Sequence, residues 1–437
     1  MPMPTARAHV SRREFLKGTA ATAALFAFPT VIPASALGAE NRPAPSGRIT
    51  MGCVGVGGQG SGNMGAFLGN GDCQVLAVCD VDKNHANGAK QNVDGRYRNK
   101  DCKVYGDFRE VMARDDIDTI SLGTPDHWHS LVGIAAAKSG KDVYGEKPFT
   151  HELREGRALV NAMKQYGRVW QTGSWQRSGG EFRFACELAR NGRVGKIHTV
   201  EVGLPTGGPG GSEKFCAPPP NLDYEMWVGP SPWAPYSPDR THWNWRWQLD
   251  YGGGQMMDWI GHHADIAQWG LGTDYTGPVE YEPVNADFPK EGLYNAPGSY
   301  KFTARYANGV NLIVANDRQV PKGMGTRWIG DKGWVWVTRG GLDADPKSVL
   351  KETIRPDEIN LYRTPGHHRN FLDCVKSRKL TITPAEVAHR SASIGHLGLV
   401  ALQLGRKLRF DPDKEEILGD ATANAMLGRA MREPWHL

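Results

Sequence analysis

Residues 55–60 read Gly-Val-Gly-Gly-Gln-Gly and follow directly on the run Arg-Ile-Thr-Met-Gly-Cys-Val at 48–54. No other stretch constrains the fold as tightly. A short apolar run ending in glycines suits a buried parallel strand. G-x-G-x-x-G after such a strand serves a tight turn, close approach of the backbone to a pyrophosphate, and close packing of the next helix. That helix would aim its free N–H groups at the phosphates. The motif alone is weak in a chain with 54 glycines, and an α/β domain without nucleotide is the plain alternative. Context strengthens it. A second strand, Cys-Gln-Val-Leu-Ala-Val-Cys at 73–79, ends at Asp80, roughly 20 residues past the motif, where an acid receives the hydroxyls of an adenosine ribose. Gly55, Gly57, Gly60 and Asp80 are therefore candidate dinucleotide-binding residues. Asp80 favours NAD, while Lys83 nearby keeps NADP open.

The alternation continues. A short strand is expected at 119–124, a loop at Pro125-Asp126-His127-Trp128-His129, a helix at 130–139, and a strand at 141–144 leading to Gly145-Glu146-Lys147-Pro148. Strands and helices in this order make a doubly wound parallel sheet. Its ligands lie beyond the carboxyl ends of the strands, where the 127–129 loop and Lys147 fall.

The second half has a different pattern. Runs 301–306 and 310–316 flank Ala307-Asn308-Gly309, a strong hairpin signal. Strands at 326–330 and 333–338 extend an open sheet. Residues 384–406 read as a helix or helix pair, and the chain from Phe410 reads as an extended tail. Asp258 and His262 are four residues apart and share one helix face. A carboxylate and an imidazole there, with a lysine ammonium across a pocket, can relay a proton from a substrate hydroxyl. The lysine would stabilise an alkoxide. The plain alternative is a helix cap and a core histidine. Between Leu204 and Tyr251 lies a Pro/Gly-rich insertion with Trp227, Trp233, Trp243, Trp245 and Trp247, plus His242 and Arg246. Its aromatic faces suit sugar rings or, equally, packing of the loop itself. Trp245 and Arg246, with Gln176 and Arg177 after the strand 169–174, are candidate substrate contacts.

Together these motifs resemble the Gfo/Idh/MocA family (glucose-fructose oxidoreductase, inositol dehydrogenase). The likeness rests on the glycine motif, Asp80, Thr124-Pro125 with His129, Glu146-Lys147-Pro148, and Gly252-Gly253-Gly254 leading to Asp258-Trp259-Ile260-Gly261-His262. It spans about residues 48–410. The resemblance implies an α/β protein: a Rossmann domain followed by an α/β domain whose open, mostly antiparallel sheet packs beside the nicotinamide and pairs subunits into homodimers or homotetramers. It implies Lys147, Asp258 and His262 as the catalytic set. Thr124, Pro125, His129 and Glu146 join the cofactor site. Some relatives oxidise sugars or polyols; others cleave glycosides by transient oxidation and elimination.

The N-terminus reads Ser-Arg-Arg-Glu-Phe-Leu-Lys at 11–17, an apolar run at 18–28, and Ala34-Ser35-Ala36. Basic region, apolar region and A-x-A site in that order make an export signal, and the paired arginines resemble the twin-arginine (Tat) type. The apolar run falls short of the about 20 residues that cross a bilayer, and no other segment qualifies, so no membrane span is expected. Tat cargo is folded before export, so a nucleotide enzyme on that route should keep its cofactor tightly. A net charge of +5 over 52 basic and 47 acidic residues shows no clustered basic tract past the signal, which speaks against nucleic acid as partner. The seven cysteines form no CxxC pair, and His127, His129, His262, His263 and Asp265 fit no zinc spacing; no metal is expected.

The expected organisation is a signal peptide at 1–36, a linker at 37–47, a Rossmann domain at 48–170, a substrate and oligomerisation domain at 171–410 and a tail at 411–437. Three activities remain open: a periplasmic NAD(P)-dependent oxidoreductase of sugars or polyols, an NAD-dependent redox-neutral glycosidase, and a non-catalytic sugar-binding protein.

Overall fold

The computed structural model describes residues 43–437; the export signal lies outside them. Residues up to Arg48 form a unit of their own, of which the described part contains a single 3-10 turn, Pro45–Gly47. Ile49–Leu437 forms the other unit.

In that unit β1 (Ile49–Val54), α1 (Gly58–Leu68), β2 (Cys73–Cys79), α2 (Lys83–Tyr97), β3 (Lys103–Tyr105), α3 (Phe108–Met112), β4 (Thr119–Leu122), α4 (Asp126–Lys138), β5 (Asp142–Gly145), α5 (Leu153–Gln165) and β6 (Trp170–Thr172) alternate along the chain. The six strands pair in parallel in the order β3-β2-β1-β4-β5-β6. Strand order reverses between β1 and β4, and a crevice opens at such a switch point. The central strands are buried on both sides, with all four residues of β4 and of β5 buried, as parallel sheets covered by helices require.

The second half adds α6 (Gly180–Arg190), β7 (Ile197–Leu204), α7 (Tyr224–Val228), α8 (Gly254–Leu271), β8 (Glu280–Asp287), β9 (Ser299–Arg305), β10 (Asn311–Asn316), β11 (Gly325–Gly330), β12 (Gly333–Thr338), β13 (Gly341–Asp345), α9 (His367–Ser377), α10 (Ala385–Leu404), β14 (Leu408–Asp411), β15 (Glu416–Ile417) and α11 (Ala421–Ala425). Its nine strands run β13-β12-β11-β7-β10-β9-β8-β14-β15, antiparallel except for the β7–β10 pair. Asn308-Gly309 makes the β9–β10 turn, with Gly309 at φ +88°. Helices α6, α8 and α10 pack on the sheet and share with it one apolar core that includes Phe182, Ile260, Phe302 and Trp328.

The chain returns to the nucleotide-type sheet at its end. Phe371 of α9 packs edge-on to Phe67 and Tyr144. The stretch expected as an extended tail instead contains the β14–β15 hairpin and α11, and its last turn sits on the first sheet's helices, Trp435 against Trp128 (4.7 Å between ring centroids). Arg429 fixes it through Glu155 at 2.8 Å.

Candidate active site

A cleft of about 670 Å³ runs along the carboxyl ends of the parallel strands and on to α8. At one end the glycine motif turns from β1 into α1. Gly55 sits at φ +76°, a backbone region open to glycine without strain. A Cβ on Gly60 would overlap the Gly55 carbonyl oxygen, so a side chain there would push α1 off its strand. The cap of α1 is Gly57, whose missing side chain leaves the first-turn N–H groups to the cleft, while Gly58 has open space around it. Asp80 accepts the N–H of Val56 and of Asp82, both at 2.9 Å, which pins its carboxylate at the end of β2 against the cleft. Thr124 and Pro125 also line it, and Thr124 Oγ1 is buried without a protein partner. A cradle without side chains, a free helix N-terminus and an acid placed for a ribose fit a dinucleotide.

The insertion closes over this end. Asp223 N–H donates to Val81 carbonyl and Lys83 N–H to Asn221 carbonyl, both at 2.9 Å. Asp82 caps α2 by accepting from Asn84 N–H (2.8 Å), takes the Asn221 amide on the same oxygen (2.9 Å), and turns its other oxygen to His242 Nε2 at 3.4 Å. His242 reaches it from a left-handed backbone, φ +53°. Asp82, His85 and His242 each offer one ligand atom within 4.8 Å of the others. The histidines and Asp265 weighed above do not converge: His263 stacks on Trp259, and Asp265 binds Arg177.

At the other end stand the expected catalytic residues. Lys147 leaves the end of β5 and donates to Asp258 Oδ1 at 2.8 Å and to the Asp258 carbonyl at 3.0 Å. Burial works against ionising Asp258, but Lys147 and Arg246 (Nε 3.4 Å away) outweigh it, and the carboxyl stays below its usual range. His262 follows one turn later on α8. Burial, then the charges of Lys147 and Arg339, hold its imidazole well below the ordinary range; it is neutral near pH 7, and its Nδ1 has no partner. Glu146 lines the cleft with one oxygen held by Asn63 Nδ2 (2.8 Å), and burial raises its carboxyl. Arg246 lies over Trp243 and Trp245, 4.3 and 4.5 Å from the ring centroids.

Three expected residues stand elsewhere. His129 does not line the cleft: α4 begins at Asp126 rather than Ser130, and the turn buries the ring with Nδ1 2.8 Å from Pro148 carbonyl and Nε2 2.9 Å from Thr124 carbonyl. A neutral imidazole has one N–H, and burial lowers its pKa to about 4, so it donates one of these bonds. It braces the two loops that shape the cleft. Arg177 also lies outside the cleft. It is buried between Asp265 and Asp274, 2.7 Å from each. Gln176 is buried behind the wall. Its amide orients with Nε2 donating to His262 carbonyl (3.0 Å) and Oε1 facing Arg339 Nε (3.3 Å). Sequence reasoning missed Asp126, Trp175 and Arg339, which all line the cleft, and it gave Trp259, another lining residue, no role. Asp126 had a local signal, since proline then an acid opens a helix; Arg339 sits in the β12–β13 turn, where nothing local marks it.

Residues 49–174 match the oxidoreductase family's NAD-binding Rossmann fold, and residues 212–437 match its C-terminal alpha/beta domain. The chain belongs to the Gfo/Idh/MocA family. Residues 9–29 match a twin-arginine translocation signal. Among curated relatives, the uncharacterized oxidoreductase YrbE of Bacillus subtilis is 24% identical over 55% of this chain and 59% of its own. An alpha-N-acetylgalactosaminidase of Shewanella oneidensis is 24% identical over 43% and 44%. A glycosyl hydrolase family 109 protein of Solibacter usitatus is 30% identical over 27% and 28%. The chain thus spans about half the length, or less, of these relatives. The fold matches the WlbA dehydrogenase of Bordetella pertussis, solved with NADH and UDP-GlcNAcA, at a TM-score of 0.62 and 17% identity over 83% of this chain and 99% of that one. It matches myo-inositol 2-dehydrogenase of Lactobacillus plantarum at 0.57 and 14% over 83% and 100%. No described helix is long and apolar enough to cross a membrane.

Proposed function

We propose that this family member is a Tat-exported, periplasmic enzyme that oxidises a hydroxyl of a sugar, polyol or sugar derivative with a tightly held NAD(H). The observation that carries this reading is the meeting of Lys147, Asp258 and His262 at the end of a dinucleotide-shaped cleft. A nicotinamide ring, when bound, would supply the hydride acceptor, and a second substrate, reduced in turn, would take the hydride back for the next turnover. Asp258 engages two N–H groups of the Lys147 ammonium and leaves one for the substrate oxygen, where positive charge stabilises an alkoxide. Neutral His262 accepts the hydroxyl proton. Burial, then the charges of Lys147 and Arg339, disfavour its imidazolium, so it stands neutral and ready to accept. The cleft's tryptophans cover the apolar faces of the ring.

The Shewanella and Solibacter relatives favour a second reading, redox-neutral glycoside cleavage. Oxidation of a ring hydroxyl acidifies the neighbouring C–H, the aglycone is eliminated as its alcohol, water adds to the resulting enone at the carbon that carried the aglycone, and the hydride returns to the carbonyl. No outside electron partner is needed, which suits an exported protein. In either reading residues 48–170 hold the nucleotide, residues 171–410 hold the substrate, and copies pair through the nine-stranded sheet; light scattering tests the oligomeric state.

The test begins with the mature protein, denatured, and mass spectrometry of the nucleotide released. Stoichiometric NAD(H), with sugars oxidised as NADH accumulates, supports the first reading. Glycoside turnover without net change in the nucleotide supports the second. NADP(H) would overturn the role given to Asp80. Bound sugar with no turnover, unchanged in Lys147→Ala, would leave a binding protein.

A further inference from the structure

The substrate end of the cleft holds more positive charge than the proposed chemistry uses. Lys147, Arg246 and Arg339 all line it. Lys147 and Arg246 both lean on the one carboxylate of Asp258. The neighbouring carboxyls do not balance the third cation. Glu146 is turned to Asn63 and to the Lys147 N–H, and burial favours the neutral form of both Glu146 and Asp126.

Arg339 is that third cation. Its guanidinium lies 4.4 Å from the ring centroids of both Trp175 and Trp259. Among the described residues no carboxylate comes within ion-pair distance of it; Nε meets only the Gln176 amide oxygen, and its terminal N–H groups meet no protein acceptor. The same two rings border His262, at 6.5 and 5.3 Å. Stacking on two tryptophans fixes the plane of the guanidinium in advance and leaves its N–H edge free. A lysine would make a mobile point charge there; a stacked arginine presents a fork that matches an oxyanion in two-point contact. Packing alone would equally be served by an apolar side chain between the rings.

We propose that Arg339 recognises an oxyanion on the substrate, a carboxylate or a sulfate ester carried by the sugar that Lys147 and His262 act on, so that this site takes acidic rather than neutral sugars. The inference rests on the sugar reading above and narrows it. An anion there also offsets the charges that disfavour a proton on His262.

The test measures binding, independent of turnover. The full mature protein with its nucleotide is titrated with glucuronate, galacturonate, galactose 6-sulfate, glucose and galactose, following tryptophan fluorescence and, in parallel, heat. An acidic sugar is expected to bind at least tenfold tighter than its neutral counterpart. In Arg339→Gln that ratio falls to within about threefold of one, and Arg339→Lys restores only part of it. Nucleotide content and melting temperature of each variant separate lost recognition from lost packing. Whether the uronates or the sulfate bind tighter identifies the oxyanion. Equal binding of acidic and neutral sugars, no binding of the acidic ones, or a ratio untouched in Arg339→Gln overturns the proposal. Turnover of neutral sugars alone would overturn it too and leave the catalytic reading standing. Acidic sugars bound but never oxidised would do the reverse.

Discussion

Lys147 Nζ lies 2.8 Å from Asp258 Oδ1, a contact between the end of a parallel strand and a helix 111 residues further along the chain. It joins the nucleotide-type sheet to the second domain at the point where a reacting hydroxyl would sit. Lys147→Ala is expected to lower kcat by at least about 100-fold, within the range for losing a positioned acid–base group. Nucleotide content should stay at the wild-type level, because Lys147 stands at the far end of the cleft from the glycine motif. Loss of both would mean that the lysine serves binding rather than chemistry.

Gly60→Ala probes the other end. Its Cβ has no room against the Gly55 carbonyl, and an overpacked contact costs about 1–3 kcal/mol. The variant should purify with less nucleotide and a lower melting temperature than wild type. Gly58→Ala, with open space at the same turn, is the matched control for folding and should melt near wild type.

Acid should destabilise the fold over a defined window. Burial holds His129 and His396 at about 4 and His151, His263 and His367 at about 3, against an ordinary 6.5. The unfolded chain binds these protons as pH falls through 6.5, whereas the folded chain refuses them. Stability therefore rises with pH across the interval from about 3 to 6.5 and is lost on going down. Melting temperature measured from pH 7.5 to 4.5 should fall more steeply for wild type than for a His263→Phe variant, which keeps the stacking on Trp259. Parallel curves would show that His263 has no part in the effect.

Arg177→Ala should damage stability far more than recognition. It leaves Asp265 buried with its ion pair gone, a loss of about 3–5 kcal/mol for a broken buried pair. Thermal denaturation reads that directly. If affinity for a bound sugar collapsed while the melting temperature held, Arg177 would have to reach the cleft after all.

What was legible in the sequence was local. Gly55 and Gly60 answer backbone demands that no other residue meets, Asp80 follows at the reach of one βαβ turn, and Asp258 and His262 share a face through helical periodicity alone. What stayed hidden was long-range. Arg339 gains its meaning from Trp175 and Trp259, which lie 164 and 80 residues away in the chain, and no spacing rule relates a hairpin turn to a 3-10 turn. Arg177 was misplaced for the same reason, since its partners Asp265 and Asp274 lie far downstream. His129 was misplaced by a helix start: moving the first turn back to Asp126 rotates the ring from the cleft into the wall.

The insertion bonded to Val81, Asp82 and Lys83 gives the nucleotide groove a roof rather than an open rim. A nucleotide beneath it would leave only while the roof is open, which would lengthen its stay relative to an open groove. On the proposed reading, loading would be an event of assembly before export along the twin-arginine route, and the exported protein would work on the molecule it was built around.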